Sequence, residues 1–379
     1  MAMFSIVATE TSVLTFVSIP SIAYFGDWYF MQLVLGFVVG RIIVSIFILP
    51  LYFKSKIVSI YQVLRERFDS SIQKLASFVF FITRILADSV RFLATAVIIE
   101  VITGWGMYSS LLIIAAVTIL YSLIGGIKSI VYIDALQFGV YFLGGFLCIL
   151  FILDTLDLKV LSIFSSLVST PATLSSNKLD IVHFGNPLYV SSSFVSAFIG
   201  GIFLSFASHG VDYMMVQRVI VTKSLSSARK ALIGSGIFVF IQFAIFLFLG
   251  SLLWYYFEGL DLNLDSDRQL PYFIANYIPI GLKGILVAGI ISASMSTLSS
   301  SINSLSSTII FDWFKEGQIG SIKAARMIGL VCSLIIVVMS IYLYNVVDSA
   351  LIIIGLKVAS ITYGSLSSLF ILALFKKKI

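Results

Sequence analysis

The segment Ala8-Thr9-Glu10-Thr11-Ser12 sets a carboxylate among poor helix formers in the middle of an otherwise apolar stretch. Such a run can unwind. Unwinding frees main-chain carbonyls, hard oxygen ligands suited to a small hard cation and tolerated at membrane depth only where they line a cavity. The alternative for the same residues is an unbroken helix whose Glu10 meets a base. Far along the chain, Ser292-Ala293-Ser294-Met295-Ser296-Thr297-Leu298-Ser299-Ser300-Ser301 supplies neutral hydroxyls, and Ser292, Ser296, Ser299, Ser300 and Ser307 share one stripe at i, i+3, i+4 spacing. Small residues packing against a neighbouring helix would give the same stripe. Taken with a breakable first segment, the hydroxyls complete a weak cage suited to reversible sodium binding, whereas calcium would want more carboxylates.

A third polar break, Ser205-Phe206-Ala207-Ser208-His209-Gly210-Val211-Asp212, interrupts another apolar run. His209 there can titrate, bind a solute or simply pack. Glu10, Asp88, Asp134, Asp212, Arg41, Arg84, Arg91 and Lys357 also fall at apolar depth. Each would cost at least ~2.5 kcal/mol facing lipid, so each is paired, lies near an interface or lines a cavity. Arg84, Asp88 and Arg91 stand one turn apart on one helix face, which fits structural pairing and solute contact equally. Asp134 follows Gly125-Gly126 and Lys128 closely, so helix-end capping competes with a ligand role. Lys357 is expected to pair with an acid such as Glu10 or to meet an anionic solute. An enzyme is not expected, because two distant histidines and no metal-ligand cluster are poor material for one.

The elements that must position these groups are membrane helices. Mean hydropathy is +1.09, and 59% of the 379 residues are apolar against 11% charged, too little polar surface for a soluble globule. Apolar runs of about eighteen residues or more recur throughout, each long enough to cross ~30 Å of hydrocarbon as a helix. They are continuous in Leu, Ile, Val and Phe, without the alternation of a β-barrel. The reading is an all-α polytopic membrane protein of about ten spans, at 2–25, 29–53, 74–102, 107–125, 129–153, 191–219, 231–257, 280–313, 324–345 and 349–375. Spans one and six both carry polar breaks, as expected of a 5+5 inverted repeat. The single transporter domain 1–379 then divides into a first repeat 1–153, a connection 154–190 and a second repeat 191–379.

Lys54, Lys56, Arg65, Arg67, Lys128, Arg218, Lys223, Arg229 and Lys230 fall in connections on one side, while Asp27, Asp154, Asp157, Asp180, Glu258, Asp261 and Asp265 gather on the other. The basic side is expected to be cytoplasmic, with both termini there and the chain in the plasma (inner) membrane. Spread over short loops, the net charge of +6 is a topology signal, and no nucleic-acid partner is expected. Cys148 and Cys332 lie inside apolar spans and read as packing residues. The first residues lack a basic n-region and contain Glu10, so they read as helix and not as a cleaved signal. The two longest connections, 154–190 and 258–279, are expected to carry short helices or to gate the acidic side.

These residues give the chain a resemblance to the sodium:solute symporter family, built on the leucine-transporter fold. The resemblance runs through Ala8 to Ser12 with Ile19-Pro20 and Ala23-Tyr24, Tyr61 to Phe68, Gly125 to Lys128 with Asp134 and Gln137, Asp212 to Arg218, and the Ser/Thr-rich eighth span. It implies sodium-coupled symport of a small organic solute or anion by alternating access, with the lipid bilayer as the other partner. A membrane solute sensor that keeps the fold without transporting is the alternative. The main sodium site so implied uses the carbonyls of Ala8, Thr11 and Ala293 with the hydroxyls of Ser296 and Thr297. A second sodium would sit at Asp134, Ser296, Ser299 and Ser300. Substrate contacts would come from Glu10, Ser12, Thr15 and Gln32, with Arg84, Arg91, His209, Lys357 and Tyr363. The arginine that grips the carboxylate in sialic-acid carriers would fall at Ala87, with Arg84 and Arg91 each about a turn away. Relative to the family pattern Met1 falls inside the first core helix, so a minimal form or missing upstream sequence is expected.

Overall fold

Open main-chain hydrogen bonds are too costly in hydrocarbon, and the chain answers with helix after helix. The computed structural model describes residues 2–54, 59–124, 127–157, 160–170, 177–190, 192–265, 267–314, 322–346 and 351–375, without the side chains of residues 2, 121–137 and 296. In order come α1 (Ala2–Glu10), α2 (Val13–Phe25), α3 (Phe30–Ile43), a π-helical turn (Val44–Ile48), α4 (Leu49–Lys54), α5 (Gln62–Arg67), α6 (Ser70–Thr103), α7 (Met107–Ile124) and α8 (Ile127–Leu156). There follow α9 (Val160–Ser169), α10 (Phe194–Gly210), α11 (Tyr213–Ile220), α12 (Leu225–Tyr256), α13 (Gln269–Asn276), α14 (Ile280–Trp313), α15 (Ile322–Val346) and α16 (Leu351–Phe375). Among the described residues there is no strand.

Among the described residues six helical stretches, one of them α3 continued through the π turn into α4, are long and apolar enough to cross a bilayer singly. Two further spans are bent pairs, α1 with α2 at 65° and α10 with α11 at 63°. These are the two segments whose polar interruptions predicted a break. α6 is 34 residues long and turns its charges inward, with Arg84 and Asp88 buried. The two long connections do carry short helices, α9 and α13. The π turn precedes Pro50, which has no N–H to donate, and Leu49 N reaches back to Val44 O across the wider turn.

α6 is the hub, packed by α14, α15 and α16, while α12 lies on α2 and α3, and α14 on α8. The tightest pair is α3 with α10, whose backbones meet at glycine: a Cβ on Gly36 would strike the main chain of Phe198 and Gly201, and one on Gly201 the Leu33 carbonyl. Without a hydrophobic drive between helices in lipid, such close contact is what holds them. Gly36→Ala is therefore expected to cost about 1–3 kcal/mol as overpacking, seen as a lower thermal midpoint in detergent. Gly200→Ala, where a Cβ meets nothing within 4 Å, should leave that midpoint in place.

Candidate functional site

The first break falls at Thr11-Ser12, between α1 and α2. Ser12 begins the second half as an N-cap in extended backbone (φ −119°, ψ 166°), its hydroxyl accepting from Leu14 N at 3.1 Å. Thr11 N closes onto Val7 O at 2.8 Å, and Thr15 N turns to Ser12 O at 3.0 Å. The carbonyls of Ala8 and Thr11 therefore have no N–H partner among the described residues, as an ion-binding break requires. Thr11 is fixed from across the bundle, donating its hydroxyl to Gln242 Oε1 at 3.0 Å. α1 packs against α14, which supplies Ala293 and Thr297. Both are buried, and the Thr297 hydroxyl donates to Ala293 O at 3.1 Å, leaving its lone pairs free for an ion. The side chains of Ser296 and Asp134 lie outside the described residues. Of the remaining residues expected around a second ion, Ser299 is buried, and Ser300 Oγ accepts from Arg218 Nη2 at 2.5 Å.

Three α14 hydroxyls outside the expected stripe bond to neighbouring helices. Ser294 bonds Thr95 at 2.7 Å, Ser301 donates to Asp88, and Ser304 accepts from Gln217 Nε2 at 2.9 Å. These bonds tie α14 to α6 and α11, as helix packing through small polar residues does.

Beside the first break lies a cavity of ≈ 160 Å³. It brings together Glu10, Ser12, Thr15, Arg84, Arg91, His209 and Tyr363, seven of the nine expected solute contacts, drawn from α1, α2, α6, α10 and α16. Its apolar walls, including Phe30, Phe37, Met215, Phe243 and Ile352, escaped the sequence reading, since an apolar residue in an apolar span carries no local sign of its facing. Gln32 stands elsewhere. Its amide donates to Tyr29 O and Ser192 O at 3.1 and 3.0 Å and accepts from His183 N at 3.1 Å, anchoring a connection. Lys357 is also outside the cavity, its side chain exposed on α16. The pairing of Lys357 with Glu10 is overturned, because Glu10 is held by both oxygens to Arg41 Nη2. Arg41 is wholly buried and donates also to Ser235 at 2.8 Å.

A second charge network closes another side of the cavity. Arg84 donates to Asp88 at 2.8 and 3.2 Å and to Asp212 at 3.1 Å, and Arg91 donates to Asp88 at 2.9 Å. Asp212 also accepts from Tyr363 at 2.7 Å and caps α11 through Met214 N at 2.9 Å. The trio on α6 is thus paired and cavity-lining at once. Arg91 keeps 20% of its side chain exposed and uses one nitrogen, so it has donors to spare. His209 Nδ1 lies 2.8 Å from Ser208 Oγ, while its Nε2 is buried, unbonded and 3.6 Å from Glu10.

On the acidic side, Lys178 plugs the end of α2, donating to the carbonyls of Ala23, Tyr24 and Gly26 at 3.2, 2.6 and 2.9 Å beneath the Trp254 ring. These are the orphan carbonyls of a helix terminus, where a cation is favoured. Burial draws its ammonium from 10.5 down to about 8, with Asp27 pulling the other way. The folded protein therefore sheds this proton before the unfolded chain does, and the group's contribution to stability improves as pH rises from 8 toward 10.5. Lys178→Met should cost about 1–3 kcal/mol through unanswered carbonyls. Its deficit in thermal midpoint should widen between pH 7 and pH 9.5.

A profile of the sodium:solute symporter family matches residues 1–379. The sodium/sialic acid symporter of Aliivibrio fischeri is 26% identical over 99% of this chain and 75% of its own length. That of Proteus mirabilis is 28% identical over 99% and 76%. The sodium-coupled monocarboxylate transporter 2 of Mus musculus is 27% identical over 82% of this chain and half (50%) of its own. A solved substrate-bound, outward-open Na+-coupled sialic acid symporter superposes with a TM-score of 0.85 at 26% identity, covering 99% of this chain and 78% of that one. The nucleobase-cation-symport-1 transporter Mhp1 matches at 0.62 and 11% identity over 98% of this chain and 76% of its own, a likeness of fold. A broken leading helix beside a polar cavity, in a fold matched from end to end, makes this chain a member of the sodium:solute symporter family, and its work is sodium-coupled secondary transport, not enzymatic turnover.

Proposed function

We propose that the coupling sodium is held by the carbonyls of Ala8, Thr11 and Ala293 with the hydroxyls of Ser296 and Thr297, and that a small organic solute or anion occupies the adjoining cavity. The observation that carries this reading is the pair of unpartnered carbonyls at Ala8 and Thr11, set beside a cavity and against the helix bearing Thr297. The N-terminus of α2 opens at Ser12, on the cavity wall, and favours negative charge there. Arg91, with unused donors, suits a carboxylate. The relatives' sialic acid is not the solute proposed, because Ala87, the position at which the family resemblance implies a carboxylate-gripping arginine, stands on the cavity wall.

Transport proceeds by alternating access. Sodium draws the broken first span onto α14, solute binds beside it, and opening toward the basic side separates the two and releases both. That side is read as cytoplasmic, in the plasma (inner) membrane, from the asymmetry of Lys and Arg. The two bent spans are read as the leading helices of two repeats, 1–153 and 191–379. At about 100 mV each sodium supplies ~2.3 kcal/mol, enough for accumulation of a neutral solute by some tens-fold. The test is thermal stabilisation by sodium, screened against sugars, monocarboxylates, amino acids and vitamins, followed by uptake into proteoliposomes. A solute that stabilises equally in sodium and in choline, and whose uptake ignores the sodium gradient, would refute the site.

A further inference from the structure

We infer that the carboxylate of Asp267, with the side-chain oxygens of Ser18 and Gln269, forms an additional sodium site on the acidic side of the bundle, apart from the break at Thr11-Ser12. Three elements meet there: α2 bears Ser18 and Ser21, the segment leading into α13 bears Asp267 and Gln269, and α16 begins at Leu351. Asp267 is 2% exposed. Its Oδ2 accepts from Leu351 N at 2.8 Å and its own N–H donates to Ser21 Oγ at 3.2 Å, whereas its Oδ1 has no partner. Ser18 Oγ is buried and lies near enough to lend this carboxyl its hydroxyl proton, though without a hydrogen bond of ordinary length, and Gln269 Oε1 is buried and unpartnered. The Gln269 amide nitrogen is spent on Asp265 O at 3.1 Å, so its acceptor end is the free one. Asp267 adopts φ +72°, a left-handed backbone uncommon outside glycine.

The charges point the same way. The neighbouring base, Arg268, donates to Glu100 at 2.8 Å and pairs with Asp265 at 3.4 Å, so it does not neutralise Asp267. The start of α16 offers about half a positive charge. Asp312, a second buried acid without a base among the described residues, differs: its two oxygens accept from Gln73 at 2.8 Å and Ser59 at 3.0 Å. A buried carboxylate with an orphaned oxygen, near the Ser18 hydroxyl and two positions before a Gln269 whose amide oxygen is also unpartnered, wants a cation or a proton. One carboxylate with neutral hydroxyl and amide oxygens suits a monovalent hard ion; calcium asks for more carboxylates, and no group of three or more His, Cys, Asp or Glu is assembled for a metal among the described residues. Burial raises the Asp267 carboxyl, so a resident proton is the rival occupant.

Binding of radioactive 22Na+ to the purified full chain, at pH 6 and pH 8, decides between them. Asp267→Asn should lose a class of bound sodium that Thr297→Ala retains. Ser18→Ala and Gln269→Met should weaken that class at least several-fold, which keeps the test decisive should Asp267→Asn fail to fold. Sodium binding unchanged in Ser18→Ala and Gln269→Met overturns the site. So does a change confined to the pH dependence of stability, which would assign a proton. Retention of all sodium by Thr297→Ala would count against the broken-helix cage and leave this site standing.

Discussion

Thr297→Ala is expected to raise the sodium concentration for half-maximal uptake tenfold or more, with solute affinity restored at saturating sodium. The hydroxyl is buried and spends its one proton on Ala293 O, so its oxygen lone pairs are offered to whatever lies between α14 and the freed carbonyls of Ala8 and Thr11. Removing one of a handful of ligands costs the ion about 1.4 kcal/mol for each factor of ten in affinity. Because the side chain makes no other bond, folding should be nearly unaffected, which separates a binding defect from a stability defect. The measurement is initial uptake into proteoliposomes across a series of sodium concentrations. An unchanged sodium dependence would remove Thr297 from the site.

Glu10→Gln should be more damaging than Arg41→Met, and the double substitution milder than Glu10→Gln alone. Arg41 is fully buried, whereas Glu10 keeps 19% of its side chain exposed and has His209 at 3.6 Å as a second neighbour. Loss of the carboxylate strands a guanidinium in low dielectric, where breaking a buried pair costs about 3–5 kcal/mol. With Met at position 41 the stranded charge is gone, and most of that loss should return. Thermal unfolding of the three variants in detergent reads the coupling directly; additive losses would mean that the pair does not act as a unit.

Much of this arrangement is legible in particular residues. Ala8-Thr9-Glu10-Thr11-Ser12 and the run from Ser205 to Asp212 announce broken spans because weak helix formers and a capping Ser or Asp are local properties. Spacing of three and four residues likewise placed Arg84, Asp88 and Arg91 within reach of one another, and they do pair. The same reasoning misassigned Lys357 and Gln32. Lys357 was placed by its depth and Gln32 by the family resemblance, and neither shows which way a helix is turned.

The sequence by itself determined that the chain is a helical membrane protein, where its helices break, and which polar groups must find partners, since composition, propensity and periodicity act over one or two turns. Only the tertiary structure decided which partners they find. Glu10 takes Arg41, 31 positions away, and Thr11 takes Gln242, 231 positions away. The serine-rich helix sends hydroxyls to α6 and to α11. Such choices follow from how whole helices rotate and cross, set by close contacts such as Gly36 on Gly201, and no local pattern encodes that rotation.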